Sequence, residues 1–222
     1  MFKTSNGWIK HYKEKGALWQ HDGNRKRPHA LLTSGMHSDG YFNSEIISAD
    51  QVSLHEAASD LLELFGRQDG NILKVQGVIG PQKGGAKLAE AISSQITSQT
   101  RDECFWVSPV KNTKGDVKSM VFSPREASFI TGEHVLLCDD AISTGGSIEL
   151  TETAVENAEG FILPFVLALL NRSGLTEIND KIIVSLIDLH MQMWAPEKCP
   201  FCKQGSKALR PEEHWDRLNK KY

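Results

Sequence analysis

The chain holds only four cysteines in 222 residues. That is too few for a disulfide framework at this length, and a reducing cytoplasm is the expected setting. Long apolar runs are missing too. The most hydrophobic stretch, "FILPFVLALL" from Phe161 to Leu170, is about half the length of a membrane span and contains a proline. The opening "MFKTSNGWIKHYKEKG" has no apolar centre of a secretion signal. Positive charge is not in excess: 25 lysines and arginines stand against 28 acidic residues, a formal net charge of -3. A nucleic-acid coat or a membrane surface is therefore not an expected partner, and the locally basic "NRKRPH" (Asn24 to His29) reads as a solvated face. Internal repeats and low-complexity tracts are absent from the sequence, which excludes solenoids and linkers.

What remains is 40% hydrophobic and 24% charged, the balance of a globular chain long enough to bury a core. Its periodicities alternate. "HEAASDLLELFGR" (His55 to Arg67) and "GGAKLAEAISSQI" (Gly84 to Ile96) have helical spacing, as does "SIELTETAVENAEG" (Ser147 to Gly160). "ILKVQGVIG" (Ile72 to Gly80), "CFWVSPV" (Cys104 to Val110), "HVLLC" (His134 to Cys138), "FILPFVLALL" and "KIIVSLIDLHM" (Lys181 to Met191) read as strands. Lys111 to Ala127 is polar and basic and reads as a mobile loop or hairpin. Strands and helices in alternation predict an α/β fold with a parallel sheet flanked by helices. Ligands of such sheets sit at the carboxyl ends of strands.

One junction stands out. The strand "HVLLC" runs into Asp139 and Asp140, then into the loop Ala141, Ile142, Ser143, Thr144, Gly145, Gly146, Ser147, where a helix begins. Hydroxyls, glycines and unpaired helix N–H groups suit a phosphate. Two carboxylates beside that loop repel a phosphate, so the ligand must also offer them something. Vicinal ribose hydroxyls do so, and a sugar 5-phosphate satisfies both halves. The loop lacks the lysine of a P-loop, which argues against a nucleoside triphosphate. The plainer reading is a strand-end turn followed by an ordinary helix cap.

The joined pattern resembles the phosphoribosyl-pyrophosphate signature of the type I phosphoribosyltransferases. "GVIGPQKGGAKLAEAI" is similar to the family's pyrophosphate loop, with Gly80 and Pro81 at a strand end, Lys83 beside it, and Gly84 and Gly85 opening a helix. "LLTSGMHSDGYFN" (Leu31 to Asn43) resembles the N-terminal segment of bacterial orotate phosphoribosyltransferases, where it forms a small hood over the base. That resemblance implies base-side roles for Ser34, His37, Tyr41 and Phe42, although one of the adjacent aromatics is expected to be plain core. Arg172, in "LALLNRSG", matches an arginine that contacts the pyrimidine, with Asn171 where aspartate is usual. "APEKCPFCKQGSKALRP" resembles the tail of one bacterial branch.

The family's chemistry implies a magnesium ion on the diphosphate, a mobile-loop lysine over the leaving pyrophosphate (Lys114, with Lys111 next and Lys118 in the same segment), and a homodimer. The chain departs from many relatives at Thr33, where lysine is common, and in the register of its loop lysines. The expected layout is a hood over residues 1–54, a core over 55–190 and a tail over 191–222. Transfer to another base, or a non-catalytic regulator binding phosphoribosyl pyrophosphate, are the competing functions. Cys199 and Cys202 have the C-x₂-C spacing of half a zinc site, which His190 and His214 or a second subunit could complete. A thiol pair in a turn is the alternative.

Overall fold

A computed structural model of the protein describes residues 2–114 and 117–220. The chain opens with helix α1 (Ser5–Glu14) and strands β1 (Leu18–Gln20), β2 (His29–Leu31), β3 (His37–Ser38) and β4 (Gly40–Phe42). Helices α2 (Ser44–Ala49) and α3 (Gln51–Arg67) follow, then β5 (Gly77–Ile79), α4 (Gly84–Thr100), β6 (Phe105–Val107), β7 (Val110–Lys114) and β8 (Val117–Val121). The second half contains α5 (Pro124–Ile130), β9 (His134–Ile142), α6 (Gly146–Asn157), β10 (Phe161–Asn171), β11 (Glu177–Ile178) and β12 (Lys181–Asp188). The tail adds β13 (Met193–Trp194), α7 (Pro200–Lys203), β14 (Ala208–Leu209) and α8 (Pro211–Asn219).

The main sheet has the order β11-β12-β10-β9-β5-β6. Every pairing in it is parallel except the edge pair of β11 with β12. Alternation along β9 explains why that strand is nearly all apolar. Leu136 and Cys138 face one core with α1, α3 and α4, while Val135 and Leu137 face a second core with α5 and α6. A strand covered on both faces has no solvent side to mark with polar residues. Helix α3 starts before the span its periodicity predicts, because Asp50 caps it: its side chain accepts from the Ser53 N–H. The predicted strand from Ile72 begins instead with a single 3₁₀ turn, Ile72–Lys74.

Helix α1 packs into the main core through Trp8 and Tyr12, both wholly buried. Its signal was legible: Thr4 caps the helix, and two aromatics follow four residues apart. The hood is a four-stranded sheet in the order β13-β3-β2-β14. Tail strands flank it on both sides, β13 antiparallel to β3 and β14 parallel to β2. Hood and tail are therefore one layer, unlike the separate segments drawn from the sequence, and α1 lies with the core.

Candidate functional site

Strand β9 extends past Cys138 through both aspartates to Ile142 and delivers them to the carboxyl edge of the sheet. Asp139 is buried, and its Oδ1 accepts from the Asp140 N–H at 2.9 Å. Burial first, and the neighbouring Asp140 charge second, push the Asp139 carboxyl well above the usual range. No lysine or arginine among the described residues forms an ion pair with either carboxylate. The next residues, Ala141 to Ser147, curl around a small cavity closed at its rim by Asp139 and Ile148. Gly145 takes φ +85°, and a Cβ there would also press on Ile178 at 3.1 Å, so glycine is required twice over. Ser143, Thr144 and Ser147 are exposed around the cavity, and α6 points its N-terminus at it.

The loop from β5 to α4 closes the other side. A Cβ on Gly80 would strike the Gly85 carbonyl, and one on Gly84 would strike the Asp140 carboxylate. On Gly85 it would meet Pro81 Cδ at 2.9 Å and Asp139 Oδ1 at 3.2 Å. Three glycines thus let this loop lie directly against the paired acids, with Lys83 exposed at the start of α4.

Beside the paired acids and the phosphate loop opens a cleft of about 290 Å³. Ser143, Thr144 and Ala141 form its core-side wall, and Leu31, Leu32, Thr33, Ser34, Tyr41 and Phe42 its hood-side wall. Arg172 reaches it from the residue after β10. Its guanidinium is buried and Nη2 donates to Ser38 Oγ at 2.8 Å, while Nε has no partner. Burial lowers its pKa, opposed by Asp39 and Tyr41. Asn171 is fastened into the turn: its amide donates to the Leu175 carbonyl at 2.8 Å, and its Oδ1 accepts from the Ser173 N–H and hydroxyl. Phe42 is the core member of the aromatic pair, stacked on Tyr12 at 5.2 Å, and Tyr41 is half-buried against Trp215. The sequence reading missed Met193, Arg210, Pro211 and Glu212, which complete the cleft from the tail. Their presence follows from the hood–tail sheet, which no local pattern announces.

Lys111 and Lys118 are exposed on the hairpin of β7 and β8, whose register pairs Lys111 with Met120 and Thr113 with Lys118. Lys114 ends β7 opposite Val117. Its side chain, and residues 115–116, lie outside the described residues.

His37 is a correction. It was expected at the base, but its neighbour Ser38 is the residue facing Arg172, and alternation along β3 turns His37 the opposite way. Its Nδ1 sits 3.0 Å from His29 Nε2 and 3.3 Å from Cys202 Sγ. Cys199 Sγ is 3.5 Å from His29 Nε2. These four side chains gather their ligand atoms within 4.8 Å, and neither His190 nor His214 belongs to the group. Burial, then the nearby His37 and His21, lower His29 to about 4, so its imidazole is neutral.

Comparison with known proteins identifies the family of the chain. The phosphoribosyl transferase domain family matches residues 55–196. Orotate phosphoribosyltransferase of Pelotomaculum thermopropionicum is 29% identical over 198 residues, covering 88% of this chain and 94% of that protein. That of Campylobacter concisus is 28% identical over 220 residues, covering 90% and 95%. In fold, the chain is similar to the crystal structure of orotate phosphoribosyltransferase from Aeropyrum pernix, with a TM-score of 0.56 at 22% identity, covering 81% of this chain and 92% of that one. With a parallel sheet, paired acids against a glycine loop and a phosphate-sized cavity at its carboxyl edge, this chain belongs to the phosphoribosyl transferase domain family.

Proposed function

We propose that the protein transfers the phosphoribosyl group of phosphoribosyl pyrophosphate to orotate, giving orotidine 5'-monophosphate and pyrophosphate. Arg172 carries this reading: its buried guanidinium, held by Ser38, lines the cleft beside the sugar-phosphate loop. Orotate is a small ring bearing a carboxylate. A carboxylate taken out of water needs a charged donor, and the planar guanidinium holds two acceptor oxygens together. The similar curated proteins are orotate enzymes across nearly their whole length, which supports the same substrate.

In the reaction a ring N–H of the base gives its proton to solvent and the nitrogen bonds to C1 of the ribose as the bond from C1 to the pyrophosphate oxygen breaks, and the leaving group takes the electron pair. Ser143, Thr144, Ser147 and the N-terminus of α6 anchor the 5-phosphate. Asp139 and Asp140 accept hydrogen bonds from the ribose hydroxyls and sit beside the ring as it becomes electron-poor. The Gly80 to Gly85 loop brings backbone up to the diphosphate. A hairpin lysine, Lys114 or Lys111, covers the pyrophosphate and excludes water. Asp139 and Asp140, which form no ion pair with a lysine or arginine among the described residues, would offer carboxylate oxygens to a hydrated divalent ion. Magnesium bound there would neutralise charge on the departing diphosphate. A homodimer, each hairpin reaching its neighbour's site, and a cytoplasmic setting complete the proposal.

Arg172→Ala tests the base assignment. It is expected to raise KM for orotate strongly, by the roughly 2–5 kcal/mol that an orphaned buried charge commonly costs, and to leave KM for phosphoribosyl pyrophosphate nearly unchanged. Unaltered orotate kinetics would contradict it.

A further inference from the structure

The hood carries a second constellation, more than a fold's own packing requires. His29 lies at the start of β2 and His37 at the start of β3, eight residues apart on antiparallel partners. Cys199 and Cys202 bracket the start of α7 in the tail, some 170 residues away. Three of the four ligands are buried, and Cys202 is exposed.

The spacings are those of a tetrahedral metal centre. Metal–nitrogen bonds of about 2.0 Å and metal–sulfur bonds of about 2.3 Å at tetrahedral angles separate two nitrogens by about 3.3 Å and a nitrogen from a sulfur by about 3.5 Å. Here the two nitrogens are 3.0 Å apart, and the nitrogen–sulfur distances are 3.5, 3.5 and 3.3 Å.

A second, independent observation fixes the proton. Ser206 Oγ donates to the Arg27 carbonyl at 2.7 Å, so it accepts from His29 Nδ1–H at 2.8 Å. With Nδ1–H committed to Ser206, the ring turns Nε2 toward both sulfurs and His37. A hydrogen bond that sets the tautomer of a histidine from behind is the usual support of a metal ligand. Phe201 closes over the group, its ring 5.5 Å from that of His29.

We infer that His29, His37, Cys199 and Cys202 form a structural zinc site that clamps the tail onto the hood and so shapes the base-side wall of the cleft. All four positions are filled by protein, as in closed structural sites, and thiolate with imidazole favours zinc over the hard cations. The clamp acts through its connections. The loop joining the two histidines contains Leu31 to Ser34, and the strand following the cysteines leads to Arg210 and Glu212; both line the cleft. The phosphate loop, the glycine loop and the paired acids belong to the other layer. The effect on the base rests on the function proposed above, whereas the metal site itself does not.

The test has two arms. Protein purified without chelators or metal columns is expected to hold close to one zinc per chain, lost in Cys199→Ser and Cys202→Ser. Wild-type protein stripped by chelator and refilled with cobalt(II) is expected to show the visible absorption of a tetrahedral thiolate centre, displaced by zinc. The zinc content of the wild-type protein and its cobalt spectrum depend neither on which base is used nor on a variant folding. Stripping is further expected to raise KM for orotate by roughly tenfold, as a displaced positioning element commonly does, with KM for phosphoribosyl pyrophosphate within about twofold, and zinc but not magnesium should restore it. Far less than one zinc per chain together with no cobalt–thiolate absorption would overturn the site. Full zinc occupancy with orotate KM unmoved by stripping would overturn its positioning role.

Discussion

The Asp140 carboxylate lies so close over Gly84 that no side chain fits between them. The contact joins the start of α4 to the end of β9 and sets the width of the slot between the glycine loop and the paired acids. Gly84→Ala should force one of the two back. The expected result is a folded protein with kcat/KM for phosphoribosyl pyrophosphate lowered on the order of 10²-fold, as a displacement of about 1 Å can do. Steady-state kinetics with an unchanged circular-dichroism spectrum checks it; wild-type kinetics would mean that the loop's approach is not needed.

Asp139 is expected to trade stability for function. Its carboxyl titrates higher in the folded protein than in the unfolded chain, because burial and Asp140 disfavour its charge. The folded state therefore binds more protons between the two values. Stability is highest below the unfolded carboxylate range and falls as pH rises through the raised folded value. Asp139→Asn removes that penalty while its amide oxygen can still accept from the Asp140 N–H. It should raise Tm by a few degrees at neutral pH, lose that advantage in acid, and lower kcat by about 10²-fold through the weakened ribose contact. Melting curves across pH and a rate assay measure both halves. A lower Tm at neutral pH would refute the electrostatic argument.

On the hairpin, Lys111, Lys114 and Lys118 were singled out because the resemblance implies a lysine in the mobile loop. Alanine at the covering lysine should reduce kcat far more than ligand affinity, with Lys114→Ala the largest effect. Three variants with wild-type kcat would make the hairpin a connector.

Helix α1 should behave as part of the main core. Trp8 is wholly buried, and its indole N–H donates to Asp60 Oδ2 at 2.9 Å. Trp8→Ala should destabilise by about 3–5 kcal/mol, a fall in Tm of roughly 6–20 °C for a chain of this size. A Tm within a degree of wild type would place the helix outside the cooperative unit.

The parts of the site made by one continuous stretch were legible. Strand, acids and phosphate loop lie within His134 to Ser147, and the glycine loop within Gly77 to Gly85, so local chemistry was enough. Arg172 was singled out by the family resemblance, and it lies directly after the long apolar strand β10, where it lines the cleft. What escaped was made by distant pairing. The hood strands are two or three residues long, too short for a period to register, and β2 and β3 find their outer partners only in the tail. The same gap hid His29 and reversed His37: the face of β3 that meets Arg172 is set by the sheet, and His37 falls on the other. Two histidines eight residues apart, with a C-x₂-C downstream, were the available signal.

The most direct measurement is the rate of pyrophosphate release with phosphoribosyl pyrophosphate, magnesium and each of orotate, uracil, adenine, guanine and hypoxanthine in turn. The expected result is a kcat/KM for orotate at least about 10³-fold above every other base, since a site built around a buried arginine leaves that charge unpaired when the carboxylate is missing. Orotidine 5'-monophosphate should accumulate in equal amount to pyrophosphate. Preference for a purine or for uracil, or binding of phosphoribosyl pyrophosphate with no turnover of any base, would contradict it.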